Sequence, residues 1–96
     1  MVKGSFQTKG YDVRLTCEAF PEQYDVLRKG RNVGYIRLRH GSLNVWCPDA
    51  SWESECVYGA ETGSGEFAND SDREKHMTLA LKAIDKWYKK TMISYL

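Results

Sequence analysis

Polar and apolar residues alternate singly through the first half of the chain, and the apolar spacing changes to three and four in the last quarter. Tyr11, Val13, Leu15, Cys17 and Ala19 alternate with Asp12, Arg14, Thr16 and Glu18. That period of two predicts a strand over residues 11–19 with one buried face. Pro21 interrupts it, because proline donates no ladder hydrogen bond and fixes its own φ. Residues 1–10 show no period and read as a loosely ordered N-terminus.

Tyr24–Arg28 reads as a second strand, closed by Lys29-Gly30-Arg31-Asn32, where glycine supplies the positive φ of a tight hairpin. Val33–Arg39 and Leu43–Cys47 follow as the third and fourth strands, joined at His40-Gly41. With those two residues at the centre of the turn, Leu38 faces Leu43 and Ile36 faces Val45 on one side. Arg37 then faces Asn44, and Tyr35 faces Trp46, on the other. A three-residue connection before the third strand, with a bulge at Gly30, puts Tyr24 and Val26 on the core side with Ile36 and Leu38. Cys56–Ala60 is a short fifth strand at an edge.

Residues 61–71 are rich in Gly, Ser and acids and read as a loop. Ser71 and Glu74 have the spacing of a capping box, which starts a helix over residues 72–90. Asp72 and Glu74 in its first turn, and Lys86, Lys89 and Lys90 in its last, suit the helix dipole. Met77, Ala80, Leu81, Ile84, Trp87 and Tyr88 form one apolar stripe. Phe67, inside that loop, and Trp52, flanking it, are expected to pin the loop onto the core edge; an exposed aromatic anchor for a partner is the alternative. Residues 91–96, with Met92, Ile93, Tyr95 and Leu96, form an apolar tail that docks on the sheet or in a dimer interface. The predicted fold is α+β: a four- to five-stranded antiparallel meander (residues 11–60) with one C-terminal helix on one face.

Composition changes little in this picture. Ninety-six residues, 42% of them hydrophobic, fit one domain with one core and exclude a disordered chain. No apolar run approaches the roughly 20 residues of a membrane span, and MVKGSFQTKG holds no signal-like stretch. The three cysteines, Cys17, Cys47 and Cys56, are an odd number without a C-x-x-C pair. They point to reduced thiols in the cytoplasm, buried as small hydrophobes in strands, rather than to disulfides or zinc.

Charge does change it. The formal total of +1 conceals strong segregation. Residues 26–48 carry Arg28, Lys29, Arg31, Arg37 and Arg39 with no acid, a net of +5. Residues 49–74 carry eight acids and only Arg73, a net of −7, and residues 75–96 carry five lysines and Asp85, a net of +4. Strand parity sets Arg37 and Arg39 beside Tyr35 and Trp46 on the face away from the core. Rings beside guanidinium groups suit a protein contact, and they also suit single strands, whose bases stack while arginines hold phosphates.

From Tyr11 to Tyr88 the order of elements, antiparallel strands and then a helix, is similar to the four-stranded single-strand-binding repeats of the PUR and whirly types. The likeness is one of topology, with no shared signature. It implies a basic, aromatic-bearing sheet face and pairing as dimers.

Catalytic chemistry finds little to work with. His40 is a turn residue and His76 flanks the helix; no G-x-S-x-G, Walker loop or H-E-x-x-H occurs. Gly63-Ser64-Gly65 sits between Glu61 and Glu66, which repel a phosphate. Glu61, Glu66, Asp70 and Asp72 lack the spacing of a calcium loop. The expectation is a non-catalytic cytoplasmic binding module without metal or cofactor. It would act by protein contact or as a homodimer, through the face around Tyr35, Arg37, Arg39 and Trp46 with Arg28, Lys29 and Arg31, or through the tail. Single-stranded nucleic acid is the alternative partner of that face.

Overall fold

The computed structural model describes residues 3–18 and 21–94, with side chains as far as Thr91. Six strands come first: β1 (Phe6–Thr8), β2 (Tyr11–Cys17), β3 (Glu22–Arg28), β4 (Arg31–Arg39), β5 (Ser42–Cys47) and β6 (Glu55–Glu61). They form one antiparallel meander, each strand paired with the next. Helix α1 (Asp70–Ser94) then crosses one face, so the α+β meander with a C-terminal helix is the observed architecture.

Three two-residue turns set much of the sheet's geometry. Lys9-Gly10, Lys29-Gly30 and His40-Gly41 all have positive φ at both positions, between 50° and 84°. That is the turn whose twist matches paired strands, and a glycine second makes it inexpensive. The β4–β5 register is the one the alternation predicts: Tyr35↔Trp46, Ile36↔Val45, Arg37↔Asn44 and Leu38↔Leu43.

Several boundaries differ from the sequence reading. The N-terminal ten residues contain β1, with Phe6 opposite Val13 and Thr8 opposite Tyr11. Three residues are too few to display a period. The β3–β4 connection has two turn residues, not three, and the compensating bulge lies at Val33 rather than Gly30, between the pairs Leu27↔Asn32 and Val26↔Gly34. Tyr24 and Val26 still face the core. A second bulge, at Thr16, sets Cys17 opposite Gln23 and turns it away from the core. Cys47 is buried and Cys56 is exposed, so the expectation of buried thiols holds for Cys47 alone. Ala19, at the predicted end of the first strand, lies outside the described residues.

Helix α1 begins at Asp70, two residues earlier than the predicted start at residue 72. Asn69 Oδ1 accepts from the N–H of Asp72 at 2.8 Å, and the Asp72 carboxylate accepts from the N–H of Ala68 at 3.1 Å. The reciprocal cap is therefore Asn69 with Asp72, not Ser71 with Glu74. The backbone stays helical to Ser94, through part of the predicted tail; the tail's side chains from Met92 onward lie outside the described set.

Met77, Ala80, Leu81 and Ile84 of the helix meet Val13, Tyr24, Val26, Ile36, Leu38, Leu43 and Val45 of the sheet in one core. Burial of such a side chain contributes roughly 1.5–3 kcal/mol. Gly34 sets how closely the helix approaches: a Cβ there would lie 2.6 Å from Ile84 Cδ1.

The same interface buries a charged cluster. Glu22 is 2% exposed and accepts from the Tyr24 hydroxyl at 2.5 Å and from Arg73 Nε at 3.0 Å. Arg73 also reaches Asp70 at 2.8 Å and lies 5.3 Å above the centre of the Phe67 ring. Phe67 is buried and pins its loop, as predicted.

Candidate binding surface

Alternation along β4 and β5 sends Tyr35, Arg37 and Trp46 to the face that the helix leaves open. Tyr35 and Trp46 are cross-strand partners with ring centres 5.8 Å apart. The Arg37 guanidinium sits 4.9 Å from the Trp46 ring centre, within cation–π range. Partial burial pushes the Tyr35 hydroxyl's pKa up, against the opposing pull of Arg37. Arg39, opposite Ser42, is exposed at the end of the row.

A short loop after β5 completes the surface. The Asp49 carboxylate accepts from the Ser51 N–H at 2.9 Å and from the Ser54 hydroxyl at 3.0 Å. Those hydrogen bonds hold its carboxyl below the usual carboxylate range. Ser54 N–H closes the loop by donating to the Ser51 carbonyl at 3.1 Å. Trp52, between those serines, is 91% exposed. It does not pin the loop to the core; it stands out into solvent. Tyr35, Arg37, Trp46 and Trp52 line a shallow cleft of about 210 Å³, with Ser51 and Ser54 on its rim.

The seven residues proposed from sequence do not form one group. Tyr35, Arg37, Arg39 and Trp46 share the open face. Arg28 points to the helix side instead, 5.3 Å above the Tyr11 ring and 3.9 Å from Asp85. Arg31 is its cross-strand partner, and Lys29 lies in the turn between them. The strand parity of Arg28 could have separated them; grouping by charge block hid it. Sequence reasoning left Trp52 out of the face, although its position between Asp49 and Ser54 marks an Asx-type loop.

The open face carries charges of both signs. Asp12 and Arg14 pair across it at 2.9 Å, Asp25 lies opposite Tyr35, and Glu61 lies opposite Ser42. Three strand carboxylates therefore accompany Arg14, Arg37 and Arg39. On the covered side, His76 is more than a polar flank: it stacks on Phe67 at 5.7 Å and its Nδ1 lies 3.2 Å from the Tyr58 hydroxyl. Burial drives the Cys47 thiol from 9.0 up to about 12, with nearby Glu55 adding to the rise. Among the described residues no three His, Cys, Asp or Glu side chains gather as metal ligands, and no helix is long and apolar enough to cross a membrane.

Searches for a matching family model, a characterised relative and a similar solved structure each found none. Six strands in one sheet, rather than four, also separate this chain from the PUR and whirly topology.

Proposed function

We propose that the chain is a non-catalytic binding module that pairs with a second copy of itself through the open sheet face. One observation carries the reading: an almost fully exposed tryptophan on a hydrogen-bonded loop, beside a cleft lined by Tyr35, Arg37 and Trp46. Exposing Trp52 to water forgoes a large burial gain, and tryptophan, tyrosine and arginine are the residues on which interface energy concentrates. A two-fold axis would let Trp52 of each copy enter the cleft of the other. Such an interface must complement itself, and a face that carries both cations and carboxylates meets that requirement. An odd cysteine count without a pairing pattern supports a reducing, cytoplasmic setting.

Arg37 stacked on Trp46, with Arg39 beside it, favours a second reading in which the face holds single-stranded nucleic acid. Asp12, Asp25 and Glu61 on that face weigh against a polyanion. Sedimentation velocity over a wide concentration range, with a labelled oligothymidylate titration at about 50 mM salt, decides between them. We expect wild type to pass from the 11.0 kDa monomer to twice that mass. Trp52→Ala should stay monomeric, and the oligonucleotide should not bind. A wild type that remains monomeric at the highest concentration overturns pairing. Oligonucleotide binding that weakens steeply with salt, and is lost in Arg37→Ala with Arg39→Ala, puts the second reading in its place.

A further inference from the structure

We infer that the cleft between the β1–β2 hairpin and the middle of α1 is a binding site for a small phosphate monoester. It lies on the helix side of the sheet, remote from the open face, and does not depend on how that face is used. Its volume of about 320 Å³ is at the lower end of the roughly 300–1,000 Å³ that small-molecule sites occupy. Tyr11 and Leu81 make an apolar floor, each nearly buried.

Three cations reach the rim from three separate elements: Lys9 from the β1–β2 turn, Arg28 from the end of β3 and Lys82 from α1. The Thr8 and Thr78 side chains stand among them. Among the described residues neither Lys9 nor Lys82 has an ion-pair or hydrogen-bond partner. The one acid in the lining, Asp85, is already matched. Its Oδ2 pairs with Lys89 at 3.0 Å, and its Oδ1 accepts from the Tyr11 hydroxyl at 3.2 Å and lies 3.9 Å from Arg28. Those contacts, the Lys89 hydrogen bond first, hold the Asp85 carboxyl below its ordinary range. Asp85 and the Tyr11 ring lie beside the Arg28 guanidinium, which is half exposed at the edge of the cleft.

The donors select the anion. A phosphate monoester presents three terminal oxygens and close to two charges near neutral pH, which three cations and two hydroxyls arranged around a rim can share. A carboxylate, with two oxygens in one plane, reaches fewer of them. The apolar floor has no use for inorganic phosphate but would cover the organic part of an ester.

The test is an amide chemical-shift titration of the whole chain with ribose 5-phosphate, adenosine 5′-monophosphate, inorganic phosphate and adenosine, at constant ionic strength. Both esters should shift Thr8, Lys9, Tyr11, Thr78 and Lys82, with Kd about 1 mM or tighter. Adenosine should leave them in place, and inorganic phosphate should bind several-fold more weakly. Lys82→Ala, on the exposed side of the helix, should weaken both esters about ten-fold with the remaining spectrum unchanged, and Arg28→Gln should do the same. The proposal is overturned by an absence of shifts at about 10 mM ester. It is equally overturned by shifts centred elsewhere, by adenosine or inorganic phosphate binding as well as the esters, or by Lys82→Ala binding like wild type. Every one of these readings leaves the oligomeric state untouched, so this site and the open face stand or fall separately.

Discussion

Each face of the sheet carries an arginine over an aromatic ring, and the pairs Arg73 on Phe67 and Arg37 on Trp46 have opposite fates. Arg73 sits 5.3 Å above Phe67 and is locked to Glu22 and Asp70. Arg37 sits 4.9 Å from Trp46, and among the described residues no carboxylate lies within ion-pair reach of it. The difference follows from solvent. Under the helix, a guanidinium loses its water and persists only if carboxylates replace it, so the cluster is built to completion. On the open face water still solvates Arg37, and the ring and cation stay available to another surface. The Glu22–Arg73 cluster is used up in folding, whereas Arg37 and Trp46 stay available for recognition.

The most severe way to break that contrast is Arg73→Ala. It strands the Glu22 carboxylate, 2% exposed, without its main cation. Loss of one partner from such a pair costs about 3–5 kcal/mol. Urea denaturation should show that loss as a lower midpoint with an unchanged slope. The paired change Glu22→Leu with Arg73→Leu should recover most of it, because an apolar replacement leaves no stranded charge. A single-variant loss below about 1 kcal/mol would mean that water reaches Glu22 and that the two faces differ less than argued.

A smaller effect comes from closing the space between helix and sheet. Gly34→Ala places a methyl group 2.6 Å from Ile84 Cδ1 and 3.2 Å from its Cγ1. Ile84 is fully buried, so the strain should cost about 1–3 kcal/mol. Adding Ile84→Val removes the Cδ1 atom, and the double variant should be more stable than Gly34→Ala alone. If the two losses add without coupling, the helix shifts to admit the methyl group and Gly34 does not set the approach.

Much of this arrangement was legible in the alternation of residues. The β4–β5 hairpin could be written pair by pair because both strands are amphipathic and His40-Gly41 admits one turn geometry. The helix stripe from Met77 to Ile84 likewise announced its buried side. What escaped has physical causes. Bulges at Thr16 and Val33 insert one residue each, which reverses parity locally without leaving a mark in hydrophobicity. Glu22 and Arg73 are charged residues at core positions, and only the three-dimensional pairing makes them tolerable there. Ser71 with Glu74 and Asn69 with Asp72 have the same spacing, so the cap could not be chosen by pattern alone. Trp52 escaped because an aromatic near a core edge is normally assumed to be buried.

Trp52 gives the smallest stability effect and the sharpest comparison. At 91% exposure the side chain has almost no burial to lose, so Trp52→Ala should change unfolding free energy by less than about 0.5 kcal/mol. Trp46→Ala, which removes the contacts with Tyr35 and Arg37, should cost about 1 kcal/mol on the same face. Both are read by urea denaturation at a concentration where the chain is monomeric. At higher concentration Trp52→Ala should fall well behind wild type, and Trp46→Ala, whose indole lines the receiving cleft, should fall behind as well. Pairing stabilises the folded state by mass action, so wild type gains stability with concentration and Trp52→Ala does not. A loss above about 1 kcal/mol in the monomeric Trp52 variant would show that the indole supports its own loop. Its exposure would then be a feature of folding rather than of recognition, and the distinction between the two faces would rest on Arg37 alone.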